Sequence, residues 1–213
     1  MMKSIFFGVV AIAVAIMSLS QDTVHAQQQT GEAATVEGDY KWDNIENKCV
    51  KALHKQINEE FNAAIAYLTM GSYYRQEKIN LIGFSDFFFK AAAEEREHGI
   101  KLMEYALMRG KGPVDKDSFS LDYSFKVEPG TDGEAGLKMA LAKEEFVTNS
   151  IRGVIKACEA GTNDYHLADY LTGEYLEEQH KGQRELAEKI ATLNKMKKSA
   201  PSLGEYLFDR THM

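Results

Sequence analysis

Four stretches of this sequence place apolar residues at alternating steps of three and four, the spacing of a helix that buries one face against its neighbours. The first begins near Asp43 and runs through Cys49, Leu53, Gln56, Glu60, Ala63, Tyr67, Met70 and Tyr74. The second runs Phe84, Phe88, Ala91, Glu95, His98, Leu102, Tyr105, and the third Leu137, Leu141, Glu144, Val147, Ile151, Val154, Cys158. The fourth runs Ala168, Thr172, Tyr175, Gln179, Gly182, Leu186, Ile190, Leu193. The three prolines, Pro113, Pro129 and Pro201, all lie outside these seams, so no ring clash interrupts a helix there. The pattern predicts an all-α fold, a bundle of four long helices.

The breakers fall between the seams. Asn80 is placed to open the second helix, and Gly110-Lys-Gly-Pro113 to end it. Gly161-Thr-Asn-Asp164 reads as a tight turn that also caps the fourth helix. Short links make each pair of helices an antiparallel hairpin. The link from Gly110 to Asp132 is long. Extended at about 3.3 Å per residue, it exceeds the roughly 45 Å of a thirty-residue helix. It can therefore cross the whole bundle and leave the second and third helices parallel. After Pro201, residues Leu203 to Arg210 suit a short fifth helix.

Each seam carries polar residues where apolar ones are expected: Glu60 and Tyr67, Glu95 and His98, Glu144, and Gln179. A buried carboxylate costs several kcal/mol unless it is paired or binds a cation. No seam position offers a Lys or Arg to compensate, so a bound cation is the simplest resolution. Glu60 and Glu95 lie equally far from a turn at residues 77–78, and Glu144 and Gln179 almost equally far from a turn at 162. An antiparallel hairpin therefore sets each pair level, whereas the stagger between the two hairpins stays open. Glu95 and His98, three apart, share one helix face. Glu-x-x-His with a further Glu from a neighbouring helix is a ligand kit of carboxylate-bridged di-iron bundles, and hard oxygen ligands with one imidazole suit iron or manganese. Glu177 and His180 repeat the spacing off the seam. A symmetric centre would also need Glu at position 179 and His at 182. The chain has Gln179 and Gly182, which predicts a weakly held second metal.

The net charge of −7 argues against a nucleic-acid partner. Lys3 followed by an apolar run from Ile5 to Met17, with Val24-His25-Ala26 beyond it, reads as a signal peptide over residues 1–26, too short to span a bilayer. Residues 27–42 read as a flexible extension and 43–211 as the bundle domain. No later segment reaches membrane length. Entry to the secretory route makes Cys49 and Cys158 disulfide candidates, with two buried thiols as the other reading.

The motifs Ile57-Asn-Glu-Glu60, Tyr67-Leu-Thr-Met70, Glu94-Glu-Arg-Glu-His98, Leu176-Glu-Glu-Gln179 and Gly204-Glu-Tyr-Leu-Phe-Asp209 resemble ferritin signatures in order, over residues 40–210. The leader and the cysteine pair look like the secreted ferritins of insects, and the ligand set like the heavy type. The resemblance implies that Glu60, Glu95, His98, Glu144 and Gln179 are the iron ligands of a ferroxidase centre, with Glu95 bridging two irons and Tyr67 beside them. Glu94 and Glu97 match acidic positions linked to iron transfer and nucleation. Asp169 matches one residue of the family's threefold channel, where Thr172 replaces the expected Glu. The implied reaction is oxidation of Fe(II) by dioxygen, then deposition of ferric mineral inside a hollow shell of twenty-four subunits, shared with further copies and with light-type chains. In that topology the first and third helices run antiparallel, so Cys49 and Cys158 can meet within one chain; a bond to another chain is the alternative. The C-terminal Thr211-His-Met213 carries no retention signal, which leans toward export over retention in secretory organelles. A subunit that builds the shell without oxidising iron, or a bundle that merely binds a partner, are the competing functions; the latter leaves the polar seam residues unexplained.

Overall fold

Long runs free of proline and rich in helix formers are helical along their full length. The computed structural model describes residue 42 and residues 45–112 and 120–213. The leader at 1–26, most of the extension at 27–42, Asp43 and Pro113 lie outside the described residues. Helix α1 is Asn47–Arg75, α2 Ile82–Met108 and α3 Gly133–Glu159. The fourth long helix is α4, Tyr165–Tyr170, continuing through a π-helical segment, Leu171–Leu176, into α5, Glu177–Lys197. Helix α6, Pro201–Thr211, opens on its proline, where the missing N–H costs nothing.

The chain ends of these helices agree with the turn chemistry, with one exception. Gly110 and Gly161 take the left-handed conformations that stop α2 and turn the chain after α3, at φ 72° and 107°. Asp164 caps α4 by accepting from Leu167 N at 3.1 Å, and Asp132 caps α3 from Ala135 N at 2.9 Å. Asn80 does not cap α2. It adopts φ 51° in the turn, and Leu81 holds the cap position without a side-chain bond. The cap comes from far along the chain: Asp209 Oδ1 on α6 accepts from Phe84 N at 2.9 Å. Helix α6 can come this close because Gly83 has no side chain; a Cβ there would stand 2.0 Å from the Asp209 carbonyl oxygen.

Antiparallel packing of α1 and α3 is fixed at both ends. Cys49 and Cys158 form a disulfide with Cα atoms 4.6 Å apart, and Tyr74 Oη donates to Asp132 O at 2.8 Å. Helix α3 therefore runs parallel to α2, and the long link crosses the bundle as expected. Its described part climbs α1: Ser120 N donates to Asn58 Oδ1, Asp122 N to Asn62 Oδ1, and Gly130 N to Tyr73 Oη.

The first seam is buried throughout, and the third nearly so. In the second, Ala92 rather than Ala91 is the more deeply buried. The fourth departs from expectation. Thr172 is exposed and Leu171 is buried in its place, so the inward residues are Leu167, Leu171, Tyr175 and Gln179. Steps of four drift about 40° each on an α-helix. The π segment absorbs that drift and keeps Gln179 facing inward.

Burial separates the interior into two apolar clusters. One gathers Leu53, Ile57, Leu102, Ile151, Leu167 and their neighbours near the disulfide. The other gathers Tyr74, Phe84, Phe88, Leu137, Leu193 and Phe208 near α6. Glu60, Glu95, His98, Glu144 and Gln179, in mid-helix, are among the buried polar residues that interrupt this apolar lining.

Candidate metal centre

The level pairs meet as the hairpin geometry requires. Glu60 on α1 and Glu95 on α2 bring carboxylate oxygens into one cluster, and His98, one turn further along α2, faces both. His98 Nδ1 is 3.9 Å from Glu60 Oε2 and 3.8 Å from Glu95 Oε2. These three ligand atoms lie within 4.8 Å of one another. All three are buried and have no hydrogen-bond partner. Buried polar atoms are almost always satisfied, so three bare ligand atoms together mark a candidate cation site. Two ligands about 2.1 Å from a shared ion lie at most about 4.2 Å apart; both His98 contacts, at 3.9 and 3.8 Å, fall within that limit.

Electrostatics points the same way. Burial, and then the neighbouring Glu95, hold the Glu60 carboxyl well above the usual carboxylate range. Burial and then Glu144 push Glu95 up to about 8. Both carboxyls are thus biased toward their neutral form. A divalent cation would favour the ionised form of both.

The other half of the site is already satisfied. Tyr67 Oη donates to Glu144 Oε1, which fixes the stagger between the hairpins. Burial raises both groups, the phenol much further. Gln179 Oε1 accepts from Thr148 Oγ1 at 2.8 Å, and Gln183 Nε2 donates to Thr148 Oγ1 at 2.6 Å. Glu144 and Gln179 are thus close to the centre without belonging to the three-residue group.

A cavity of about 280 Å³ between α2 and α5 leads to the centre, lined by Tyr67, Glu94, Glu95, His98, Glu144 and Glu178 among others. Gly182 also lines it, and a Cβ there would meet nothing within 4 Å. The position that would have to supply a second imidazole instead leaves open space. Glu94 reaches this cavity; Glu97 does not line it, and Lys101, 3.0 Å away, holds the Glu97 carboxyl below its usual range. Asp169 and Thr172 are exposed and lie away from the cavity. Glu177 pairs with Lys181 at 2.5 Å and His180 is exposed, so that second Glu-x-x-His stays on the solvated face.

Sequence reasoning missed two neighbours. Gln56 Nε2 donates to Glu60 Oε1 at 2.8 Å, and its place in the first seam was the available signal. Glu178 Oε2 is 3.2 Å from His98 Nε2. With the His98 proton on Nε2, that contact is a hydrogen bond to Glu178, and the Nδ1 lone pair is free to face the carboxylates. Nothing in the spacing singles out Glu178, because it lies on the exposed side of α5.

The chain matches the family model for the ferritin-like domain over residues 50–196. It is 67% identical to the ferritin heavy chain of Aedes aegypti, over 100% of both chains. It is 48% identical to that of Drosophila melanogaster, over 80% of this chain and 83% of the other. The crystal structure of Trichoplusia ni secreted ferritin superposes with a TM-score of 0.77 at 44% identity, covering 82% of this chain and 93% of that one. With that coverage and that identity, on the bundle and buried carboxylate–histidine cluster described above, the chain belongs to the ferritin family, in the heavy-chain company of insects.

Proposed function

We propose that this chain is the ferroxidase subunit of a secreted iron-storage shell. The observation that carries the reading is the group of orphaned, buried ligand atoms, Glu60 Oε2, Glu95 Oε2 and His98 Nδ1. A subunit that only built a shell would have no use for three uncompensated ligands in its core, at a cost of several kcal/mol. One Fe(II) substrate ion binds between Glu60, Glu95 and His98. A second binds between Glu95, Glu144 and Gln179, with Glu95 bridging, and is held more weakly because Glu144 and Gln179 already have partners. Each iron gives up one electron, and the pair takes dioxygen to hydrogen peroxide with protons from solvent.

Glu94 and Glu178 line the approach to the centre and favour a cation over an anion there. Ferric product moves on to mineral in a shell of twenty-four subunits, built with further copies and light-type chains. Export through residues 1–26 fits the intrachain disulfide, which persists in oxidising compartments. No helix among the described residues is long and apolar enough to cross a membrane. The test is aerobic Fe(II) addition to the assembled chain. The Glu60→Ala/His98→Ala double variant is expected to lose rapid oxidation and His180→Ala to keep it. Parent-like rates in the double variant would refute the assignment.

A further inference from the structure

An unbroken file of aromatic rings leaves the metal centre on the side away from its cavity. The His98 ring is 5.4 Å from Tyr175, Tyr175 is 5.7 Å from Tyr170, and Tyr170 stacks on Tyr105 at 4.9 Å, centroid to centroid. Tyr105 lies 5.7 Å from the ring of His166, which is exposed. The file depends on the π segment. Tyr170 and Tyr175 are five residues apart and would point about 140° apart on an α-helix, whereas i→i+5 closure brings them onto one face.

The phenols along the file differ in what they can do with a proton. An oxidised phenol is a strong acid, so a tyrosine gives up an electron readily only where a base takes its proton. Tyr175 Oη donates to the His98 carbonyl oxygen at 2.9 Å, which is a poor base. Tyr105 Oη is 2.8 Å from His166 Nδ1 and accepts from Arg109 Nη1 at 2.8 Å. Its one proton is therefore directed at an imidazole. Arg109 is held in turn by both oxygens of Asp164, at 3.0 and 2.7 Å. Tyr67, the other phenol at the centre, has the Glu144 carboxylate to take its proton but stacks on Phe88 at 6.2 Å, so its ring leads to no further phenol.

We propose that Tyr175, Tyr170 and Tyr105 form a one-electron relay that ends at the Tyr105–His166 pair. It supplies the second electron when dioxygen meets a centre holding a single Fe(II). The inference rests on the ferroxidase reading, in which the second iron is the weakly held one. The balance is one electron from Fe(II) and one from Tyr105, with two protons from solvent, giving Fe(III), hydrogen peroxide and a neutral Tyr105 radical. The Tyr105 proton moves to His166 Nδ1. The next Fe(II) to arrive returns the electron as His166 returns the proton. Tyr170 and Tyr175 bridge the transfer by tunnelling and are not themselves oxidised, so they release no proton.

The experiment is freeze-quench electron paramagnetic resonance on the assembled full-length chain, mixed aerobically with less Fe(II) than centres. A tyrosyl signal is expected, narrowed when the protein carries ring-deuterated tyrosine. Tyr105→Phe, which keeps the stack, should lose it, and Tyr67→Phe should keep it. His166→Ala should lose it and added imidazole should restore it. Iron oxidation by Tyr105→Phe at saturating Fe(II) should match the parent, which also reports intact folding. A signal unchanged in Tyr105→Phe, or lost in Tyr67→Phe, overturns the relay. Iron oxidation without any radical in the parent overturns the relay alone, whereas absence of iron oxidation in the parent overturns the ferroxidase reading and the relay with it.

Discussion

The two hairpins bring polar residues to the same layer and treat them in opposite ways. On α1 and α2, Glu60, Glu95 and His98 turn one atom each toward a common point and leave it without a partner. On α3 and the fourth helix, Glu144 is bonded to Tyr67, and Gln179 to Thr148. One half of the layer presents bare ligand atoms that a cation could satisfy; the other half satisfies itself. Ligand identity alone would not show this. What distinguishes the halves is whether a donor reaches the atoms that face inward: Tyr67 bonds Glu144 Oε1, whereas Gln56 reaches only Glu60 Oε1 and leaves Oε2 bare.

The largest test of that contrast is the pH dependence of metal-free stability. Glu95 has a folded-state pKa of about 8 against an ordinary 4.5. Its contribution to stability is fully present below about pH 4.5 and is lost as pH rises toward 8. Glu60 is shifted in the same direction. Chemical denaturation of the metal-free protein should therefore show stability falling across that window. Glu95→Gln should recover on the order of 4 kcal/mol at pH 8 and nothing at pH 4. The opposite slope is expected only in more acidic solution, where Asp132 and Asp164, both held below their usual range by Lys197 and Arg109 against the cost of burial, take up protons. A metal-free protein as stable at pH 8 as at pH 5 would remove the contrast between the halves.

The bond that ties the hairpins together comes next. The disulfide joins residues 109 apart in sequence, and closing a loop of that length stabilises by about 3 to 5 kcal/mol. Cys49→Ser/Cys158→Ser should lower the unfolding midpoint accordingly. A non-reducing gel should show the parent chain at the mobility of a monomer; a dimer that collapses on reduction would show that the bond also forms between chains.

Cation affinity sharpens the contrast further. Binding of Zn(II), a redox-inert probe, should weaken at least about 100-fold in His98→Ala, more than outer-shell changes cost at most sites. Gln179→Ala should shift the tight site much less, and titration calorimetry separates the two. Equal losses would mean that the ion sits between the hairpins instead of on the first. The smallest effect is expected from Tyr67→Phe, about 1 to 2 kcal/mol of stability, because it strips Glu144 of its donor. The same change should strengthen cation binding on the α3 side.

Much of this was legible in the sequence because helix periodicity is local. The seams named the buried faces, the prolines and glycines named most of the ends, and counting from the turns set Glu60 level with Glu95 and Glu144 with Gln179. The failures are also instructive. Asn80 looked like a cap, yet the N–H of Phe84 is satisfied by Asp209 from the far end of the chain. Thr172 looked inward because a strict three-and-four repeat assumes an uninterrupted α-helix; the π segment turned Leu171 inward and Thr172 to solvent.

The sequence by itself determined which side chains enter the core, since a buried carboxylate on a helix face is visible as a break in an apolar repeat. Only the tertiary structure decided which of those carboxylates stay unsatisfied, because that depends on the stagger of two hairpins and on where donors such as Tyr67, Thr148 and Gln56 end up. It likewise decided that His98 reaches Glu178, and that Tyr105, Tyr170 and Tyr175 line up on one path. Those contacts join residues about sixty to eighty positions apart, or five apart across a π turn. No local repeat encodes a distance of either kind.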